Sequence, residues 1–180
     1  MPTPWTVLAS RTLVHDRFIT VQAERVQTGS GVVLDPWYVV EAAHWVTIVP
    51  LLPDGRVVCV EQYRHGAQRV CLELPAGNID PGEDAAAAAL RELTEETGYQ
   101  AHGAPYELGT LWPEPARSRA TATGFLIRCQ AQPIAQNLDV GEEIAVRIVT
   151  WEEAASQVVH ACQLAFLQRA LVASRPMAKS

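Results

Sequence analysis

A stretch from Asp84 to Thr97 constrains the fold of this 180-residue chain more than any other, because it predicts a helix among residues that otherwise favour strands. Five consecutive alanines favour the helix, and Leu90 and Leu93 fall on one side of it. Gly98 stands where a helix end favours a residue in the left-handed conformation. One central helix flanked by strands argues against an alternating, parallel βαβ arrangement.

Strands are predicted on both sides of this helix from runs of apolar and β-branched residues. Before the helix they are short strands within 6–26, then 32–41 with an interruption near Asp35-Pro36, 45–52, 56–63 and 71–74; after it they are 106–112, 121–130 and 144–150. Pro53-Asp54-Gly55 predicts a turn. A capping box of Thr150 and Glu153 begins a second helical region, which breaks and resumes through Leu171.

This order of elements predicts an α+β or sandwich-like architecture. Residues 1–42 are expected to form a small N-terminal β subdomain, and residues 43–180 the main domain. The composition, 48% apolar and 19% charged, is that of a globular protein with a real core.

The net charge of −6 gives no electrostatic attraction to nucleic acid or to an anionic membrane surface, so neither is expected as a partner. No apolar run reaches the length of a membrane span, and the first residues lack the pattern of a signal peptide. Four cysteines are scattered singly among apolar residues, which indicates buried thiols in a reducing compartment: Cys59, Cys71, Cys129 and Cys162. We therefore expect a cytoplasmic protein.

Three glutamates fall on one third of the predicted helix, since Glu92, Glu95 and Glu96 are spaced i, i+3 and i+4. Such a cluster is often only a solvated acidic face. Here Arg91 is the one cation within 77–99, and the preceding loop ends in small residues that leave backbone carbonyls open. Carboxylate and carbonyl oxygens are the ligands that magnesium requires, so the segment predicts a magnesium site.

The same segment resembles the Nudix box, Gly-x5-Glu-x7-Arg-Glu-U-x-Glu-Glu-x-Gly-U, in which U is a bulky apolar or aromatic residue. All nine fixed positions are filled, by Gly77, Glu83, Arg91, Glu92, Leu93, Glu95, Glu96, Gly98 and Tyr99. A chance match is well below roughly one in a million at average residue frequencies. The resemblance implies a Nudix-type α/β/α sandwich with a mixed β-sheet, and a magnesium-dependent hydrolase that cleaves diphosphate linkages.

The resemblance also implies roles for the box residues. Glu92, Glu95 and Glu96 would bind the metal beside the diphosphate, with Glu92 and Glu96 as the best direct ligands. The carbonyl of Ala76 or Gly77 would complete the coordination sphere, and manganese could replace magnesium. Arg91 would orient the cluster by pairing with a glutamate, for which Glu83 is the candidate.

Other residues resemble the ADP-ribose pyrophosphatase branch of the family, which acts on nucleoside-diphosphate sugars. They are Glu61-Gln62-Tyr63-Arg64, Glu73-Leu74-Pro75-Ala76-Gly77, and Pro113 fifteen residues past Gly98. By this match Arg64 and Glu73 would bind the substrate, with Arg64 on its phosphates. The N-terminal subdomain would be exchanged across a homodimer, and Trp37 and Tyr38 would stack on a purine.

One loop departs from that branch. Val140 stands where the branch places its general base, so Glu142, Asp139 or a box glutamate could take that role. The segment Trp112–Arg119 is also unusual, because Arg117 and Arg119 could reach phosphates. The alternatives are therefore another substrate, such as GDP-mannose, a dinucleoside polyphosphate or an oxidised nucleoside triphosphate, or a non-catalytic Nudix domain that senses a nucleotide.

Overall fold

The described part of the chain forms ten strands and three helices, and one helix lies between the seventh and the eighth strand. The structure, a computed structural model, describes residues 1–174, so residues 175–180 of the predicted main domain lie outside the described part. The elements are β1 (Thr6–His15), β2 (Thr20–Gln27), β3 (Val33–Glu41), β4 (Trp45–Leu51), β5 (Val57–Arg64), β6 (Arg69–Glu73), β7 (Ala76–Asn78), α1 (Ala85–Thr97), β8 (Tyr106–Leu111), β9 (Ala122–Arg128), β10 (Ala145–Val149), α2 (Trp151–Gln157) and α3 (Ala161–Ser174).

The chain forms two compact units, of which the first joins residues 1–44 with residues 112–121. Its three strands form an antiparallel sheet in the order β1-β2-β3. The predicted short strands within 6–26 are in fact one long hairpin. Its tight turn is held by Asp16, whose side chain accepts hydrogen bonds from the backbone N–H groups of Phe18 and Ile19.

β3 runs from Val33 to Glu41, and its pairing with β2 is interrupted at Asp35-Pro36 as predicted, because Leu34 and Trp37 are paired whereas the two residues between them are not. β3 is an edge strand, where a proline without an N–H is tolerated. The register of the pairing with β2 shifts beside Pro36, so this proline, which has no N–H to donate, lies in a β-bulge.

Residues 112–121 contribute a second piece of backbone to this first unit. The N–H of Val40 donates to the carbonyl of Arg117, and the N–H of Arg119 donates to the carbonyl of Val40. The guanidinium of Arg119 bonds to Glu24, which is buried, and to Glu41. Sequence reasoning expected this arginine to be available for phosphates, whereas the structure pairs it with two carboxylates.

The second unit contains residues 45–111 and the described residues from 122 onward. Its main sheet has the order β10-β5-β4-β9-β8, with β6 beside β5 and β7 beside β4. β4 and β9 run parallel and the other pairs are antiparallel, so the sheet is mixed as predicted. β7 was expected to be a loop, but Ala76 to Asn78 pair with Trp45 to Thr47 of β4.

Alternate residues of the central strands enter two separate cores, because successive side chains of a strand point to opposite faces of its sheet. On β4, Val46 and Ile48 pack with Leu93 of α1. Val49 and Leu51 pack instead with the cluster that contains Phe166 of α3. Helices therefore cover both faces of the sheet, which confirms the predicted α/β/α layering.

Both ends of α1 carry the signals expected from the sequence. Asp84 accepts hydrogen bonds from the N–H groups of Ala86 and Ala87, and Gly98 ends the helix in the left-handed conformation at a φ of 72°. The predicted capping box of Thr150 and Glu153 begins α2. The four cysteines are buried free thiols, as expected. No helix within residues 1–174 has the length and hydropathy needed to cross a bilayer.

Candidate active site

A cleft of about 840 Å³ opens in the second unit between α1, the β5–β6 hairpin and the start of α3. It is lined by residues from both parts of the predicted site, including Arg64 and Glu73 from the hairpin and the three box glutamates from α1. The short strand β7 brings Ala76 to the same cleft. The structure therefore brings together the box and the motif that precedes it.

Glu96 is the most deeply buried acidic side chain of the box. Its carboxylate accepts a hydrogen bond from the N–H of Ala76 at 3.0 Å, which ties the C-terminal end of the helix to β7. Burial raises the pKa of Glu96 to about 8, and the nearby charges of Glu92 and Glu142 act in the same direction. A carboxylate held in these surroundings favours the approach of a cation.

Arg91 connects the other carboxylates of the box. Its guanidinium donates two hydrogen bonds to Glu83 at 3.0 Å, and it also bonds to Glu92 at 2.7 Å and to Glu95 at 3.1 Å. A further bond reaches the carbonyl of Asn78 at 3.0 Å. The expected pair of Arg91 and Glu83 is thus present, and it lowers the pKa of Glu83.

Glu92 lies directly against the backbone of Gly77. A Cβ atom built on Gly77 would overlap the carboxylate of Glu92, so a glycine is required for this approach. Burial also raises the pKa of Glu92, although its bond to Arg91 opposes that shift. Sequence reasoning explained the small residue by an open carbonyl, whereas the structure shows that it makes space for the carboxylate.

The loop after β9 brings two further carboxylates, Asp139 and Glu142, to the cleft. The N–H of Asn137 donates to the carbonyl of Glu95, which holds the loop to the end of α1. The carboxylate of Glu142 accepts a hydrogen bond from the backbone N–H of Asp139 at 3.0 Å, and both residues line the cleft. Val140, which stands at the position matched to a general base, is fully exposed.

Arg64 and Glu73 form an ion pair on the wall of the cleft. The guanidinium donates three hydrogen bonds of 2.5 to 3.1 Å to the carboxylate of Glu73. Glu73 is buried, whereas 44% of the Arg64 side chain is exposed. Burying a carboxylate in this way orients the arginine while leaving donor groups accessible to an anionic ligand.

Trp37 and Tyr38, predicted to stack on a purine, belong to the first unit. Trp37 packs edge-on against Trp5 at 5.1 Å between ring centroids, and the guanidinium of Arg117 lies 5.2 Å from its ring. Tyr38 is 43% exposed.

Several polar residues of the cleft were not predicted from the sequence, among them Gln62, His160 and Gln163. Gln62 lies inside the quoted motif but was given no role. His160 lies between α2 and α3, and Gln163 lies in the first turn of α3, where no pattern marks them. The Nε2 atom of Gln62 and the Nδ1 atom of His160 are buried without a hydrogen-bond partner in the described part of the chain. His160 packs edge-on against Trp45 at 5.2 Å, and burial lowers its pKa.

The chemistry of these donors fits a divalent cation. Buried carboxylates repel one another, and the one guanidinium among the box residues is shared between Glu83, Glu92 and Glu95. Within residues 1–174, no three histidine, cysteine or acidic side chains converge closely enough to chelate an ion in their present rotamers. An ion would therefore be bound with backbone oxygen and water completing its sphere.

A mixed sheet between helices, with an acidic helix face set against a glycine in a cleft, defines a Nudix-type domain. The family profile described as NUDIX domain matches residues 41–169, more than half of the chain. The chain therefore belongs to the Nudix family, whose hydrolases generally use divalent metal ions. A second profile, described as nucleoside diphosphate sugar hydrolase N-terminal domain, matches residues 5–40.

Individual relatives match over shorter segments. An ADP-ribose pyrophosphatase of Bacillus subtilis is 41% identical over 56 residues, which are 31% of this chain and 30% of that protein. A methanol dehydrogenase activator of Bacillus methanolicus is 44% identical over 55 residues, 31% of this chain and 30% of its own length. The chain thus matches less than a third of either relative.

The fold extends much further than this local identity. A solved structure described as an ADP compounds hydrolase superposes with a TM-score of 0.80 over 94% of this chain and 94% of its own. The two are 22% identical, so the likeness establishes the shared fold. It confirms the Nudix architecture expected from the sequence.

Proposed function

We propose that this protein is a magnesium-dependent hydrolase of the diphosphate linkage in nucleoside-diphosphate sugars, with ADP-ribose as the preferred substrate and AMP and ribose 5-phosphate as products. The observation that carries the proposal is the buried carboxylate of Glu96, bonded to Ala76 and flanked by Glu92 and Glu142 in one cleft. The family of the chain, the profile matched by its N-terminal residues and the Bacillus subtilis relative support it.

Glu92, Glu95, Glu96 and the carbonyl of Ala76 would hold the magnesium. When bound, Mg²⁺, or Mn²⁺ in its place, would neutralise the phosphate oxygens and lower the pKa of a bound water. The reaction adds a water oxygen to phosphorus and breaks the bond between phosphorus and the bridging oxygen. A carboxylate must accept the proton that the water loses. Glu142, Asp139 and Glu96 line the cleft and are the candidates.

Other residues would bind and orient the substrate. Arg64 would contact its phosphates, because its guanidinium is held by Glu73 and remains partly exposed in the cleft. Arg91 would keep the box glutamates in place. Trp37 and Tyr38 would stack on the purine, in a homodimer that exchanges the N-terminal subdomain of residues 1–42. A cytoplasmic location and a small-molecule partner complete the proposal.

The test is incubation of the purified chain with nucleoside-diphosphate sugars, dinucleoside polyphosphates and nucleoside triphosphates, with magnesium or with a chelator. AMP and ribose 5-phosphate formed from ADP-ribose, and lost on chelation, is the expected result. Cleavage of GDP-mannose or another member of the panel would preserve the chemistry and reassign the substrate. Binding of a nucleotide without cleavage would support a sensing role and overturn the catalytic proposal.

A further inference from the structure

Gln163 connects α3 to the short segment between β6 and β7 that leads into the box. Its side-chain oxygen accepts a hydrogen bond from the N–H of Leu74 at 2.9 Å. Its side-chain nitrogen donates to the carbonyl of the same residue at 3.1 Å. Gln163 is 1% exposed and Leu74 is 0% exposed, so both bonds lie away from solvent. The side-chain amide thus pairs with this residue as a neighbouring strand would.

Leu74 needs such a partner because it lies between two strands. The pairing of β6 with β5 ends at Glu73, and the pairing of β7 with β4 begins at Ala76. The following residue, Pro75, has no N–H, and its carbonyl accepts a bond from the N–H of Ile48. Buried backbone groups require partners, and only a side chain with both a donor and an acceptor can serve both groups of Leu74.

The segment held in this way carries candidate ligand-binding groups at both ends. Glu73, directly before Leu74, orients Arg64. Ala76, two residues after it, donates its N–H to Glu96 and is the candidate carbonyl ligand. Any displacement of Leu74 therefore moves the pair that would contact phosphate and the strand that would contact the metal.

We propose that Gln163 is a positioning residue, which sets the distance between β7 and α1 through its two hydrogen bonds with Leu74 and thereby tunes the affinity of the candidate metal site. The inference rests on the proposed function, because it assumes that the carboxylates of α1 bind a divalent cation. Residues that orient ligands from outside the coordination sphere change metal affinity by about 10–100-fold when they are replaced.

The test replaces Gln163 with methionine, which has a similar volume but cannot make either bond. Gln163→Glu serves as a second variant, because its carboxylate can still accept from the N–H of Leu74. Gln168→Met is the control, since Gln168 is an exposed residue of the same helix. For each full-length variant, Mn²⁺ binding is measured by electron paramagnetic resonance, together with the thermal midpoint and the kcat and KM for ADP-ribose.

The expected result is a folded Gln163→Met protein whose Kd for Mn²⁺ rises roughly tenfold or more, with Gln163→Glu between it and the unaltered chain. Gln168→Met should bind Mn²⁺ normally. Unchanged Mn²⁺ affinity in folded Gln163→Met or Gln163→Glu would overturn the inference, and so would failure of both variants to fold while the control folds. If the unaltered chain binds no Mn²⁺ and cleaves nothing, the proposed function itself fails.

Discussion

The carboxylate of Glu92 occupies the space that a side chain on Gly77 would need. Gly77 belongs to β7 and Glu92 to the middle of α1, so the strand and the helix approach each other through a backbone and a carboxylate. Because the obstructing atoms belong to the end of a flexible side chain, a larger residue would displace the glutamate rather than the strand.

Replacing Gly77 with alanine should therefore reduce activity while leaving the protein folded. The added methyl group would push Glu92 from its position, and we expect kcat/KM for ADP-ribose to fall by about 100-fold, as when a catalytic electrostatic group is lost. Gly124→Ala is the contrasting variant, because its methyl group would overlap the ring of Phe166 in the core. It should lose about 1–3 kcal/mol of stability but keep its specific activity when folded. Equal activity in Gly77→Ala would contradict the role of Glu92.

Replacing Glu96 with glutamine should reduce turnover by several orders of magnitude. The amide oxygen can still accept the hydrogen bond from Ala76, so the fold should persist while the negative charge is lost. Steady-state kinetics with magnesium measures the effect, and circular dichroism checks the fold. Near-normal turnover in the folded variant would remove Glu96 from the catalytic assignment.

The stability of the metal-free protein should depend on pH through the same residue. Burial raises the pKa of Glu96 from 4.5 to about 8, so the folded state binds more protons than the unfolded state between these values. Stability is therefore lost as the pH rises from about 4.5 to about 8, by an amount on the order of a few kcal/mol. With chelator present, the thermal midpoint of Glu96→Gln should exceed that of the unaltered protein, and the difference should grow as the pH approaches 8. A difference in thermal midpoint that stays constant between pH 4.5 and pH 8 would contradict this role of Glu96.

Replacing Arg119 with alanine should weaken the first unit. Glu24 is buried and would lose its cation, at a cost of about 1–2 kcal/mol after allowance for the half-exposed arginine. Arg117→Ala is a matched control from the same segment, because Arg117 lies over the ring of Trp37. Thermal denaturation compares the two, and a smaller loss for Arg119→Ala than for the control would refute the structural role of its ion pairs.

Much of the fold could be predicted because local signals agree with the tertiary structure. Asp84, Gly98 and the pair of Thr150 and Glu153 mark helix ends by their own hydrogen-bonding chemistry, which does not depend on distant residues. The three-residue strand β7 could not be predicted, because it is strand only through its pairing with β4. Short segments of this kind take their conformation from a partner.

The clustering of Glu92, Glu95 and Glu96 was predictable because helical spacing places these three residues on one face of α1. The spacing gives no information on residues that reach the cleft from elsewhere in the chain. Gln163 lies 89 residues from Leu74, and His160 stands between two helices without any periodic pattern. The ion pairs of Arg119 could not be predicted for the same reason, since its two carboxylate partners lie far away in the sequence.

The ten residues from 112 to 121 have a practical consequence for any attempt to divide this protein. A chain shortened to begin at Trp45 would still contain residues 112–121. It would lack Val40, Glu24 and Glu41, to which this segment is bonded. Likewise, the first 44 residues transplanted into another protein would lack the backbone that pairs with β3. The first unit is thus encoded in two separate stretches of sequence, and a chimera must exchange both stretches together.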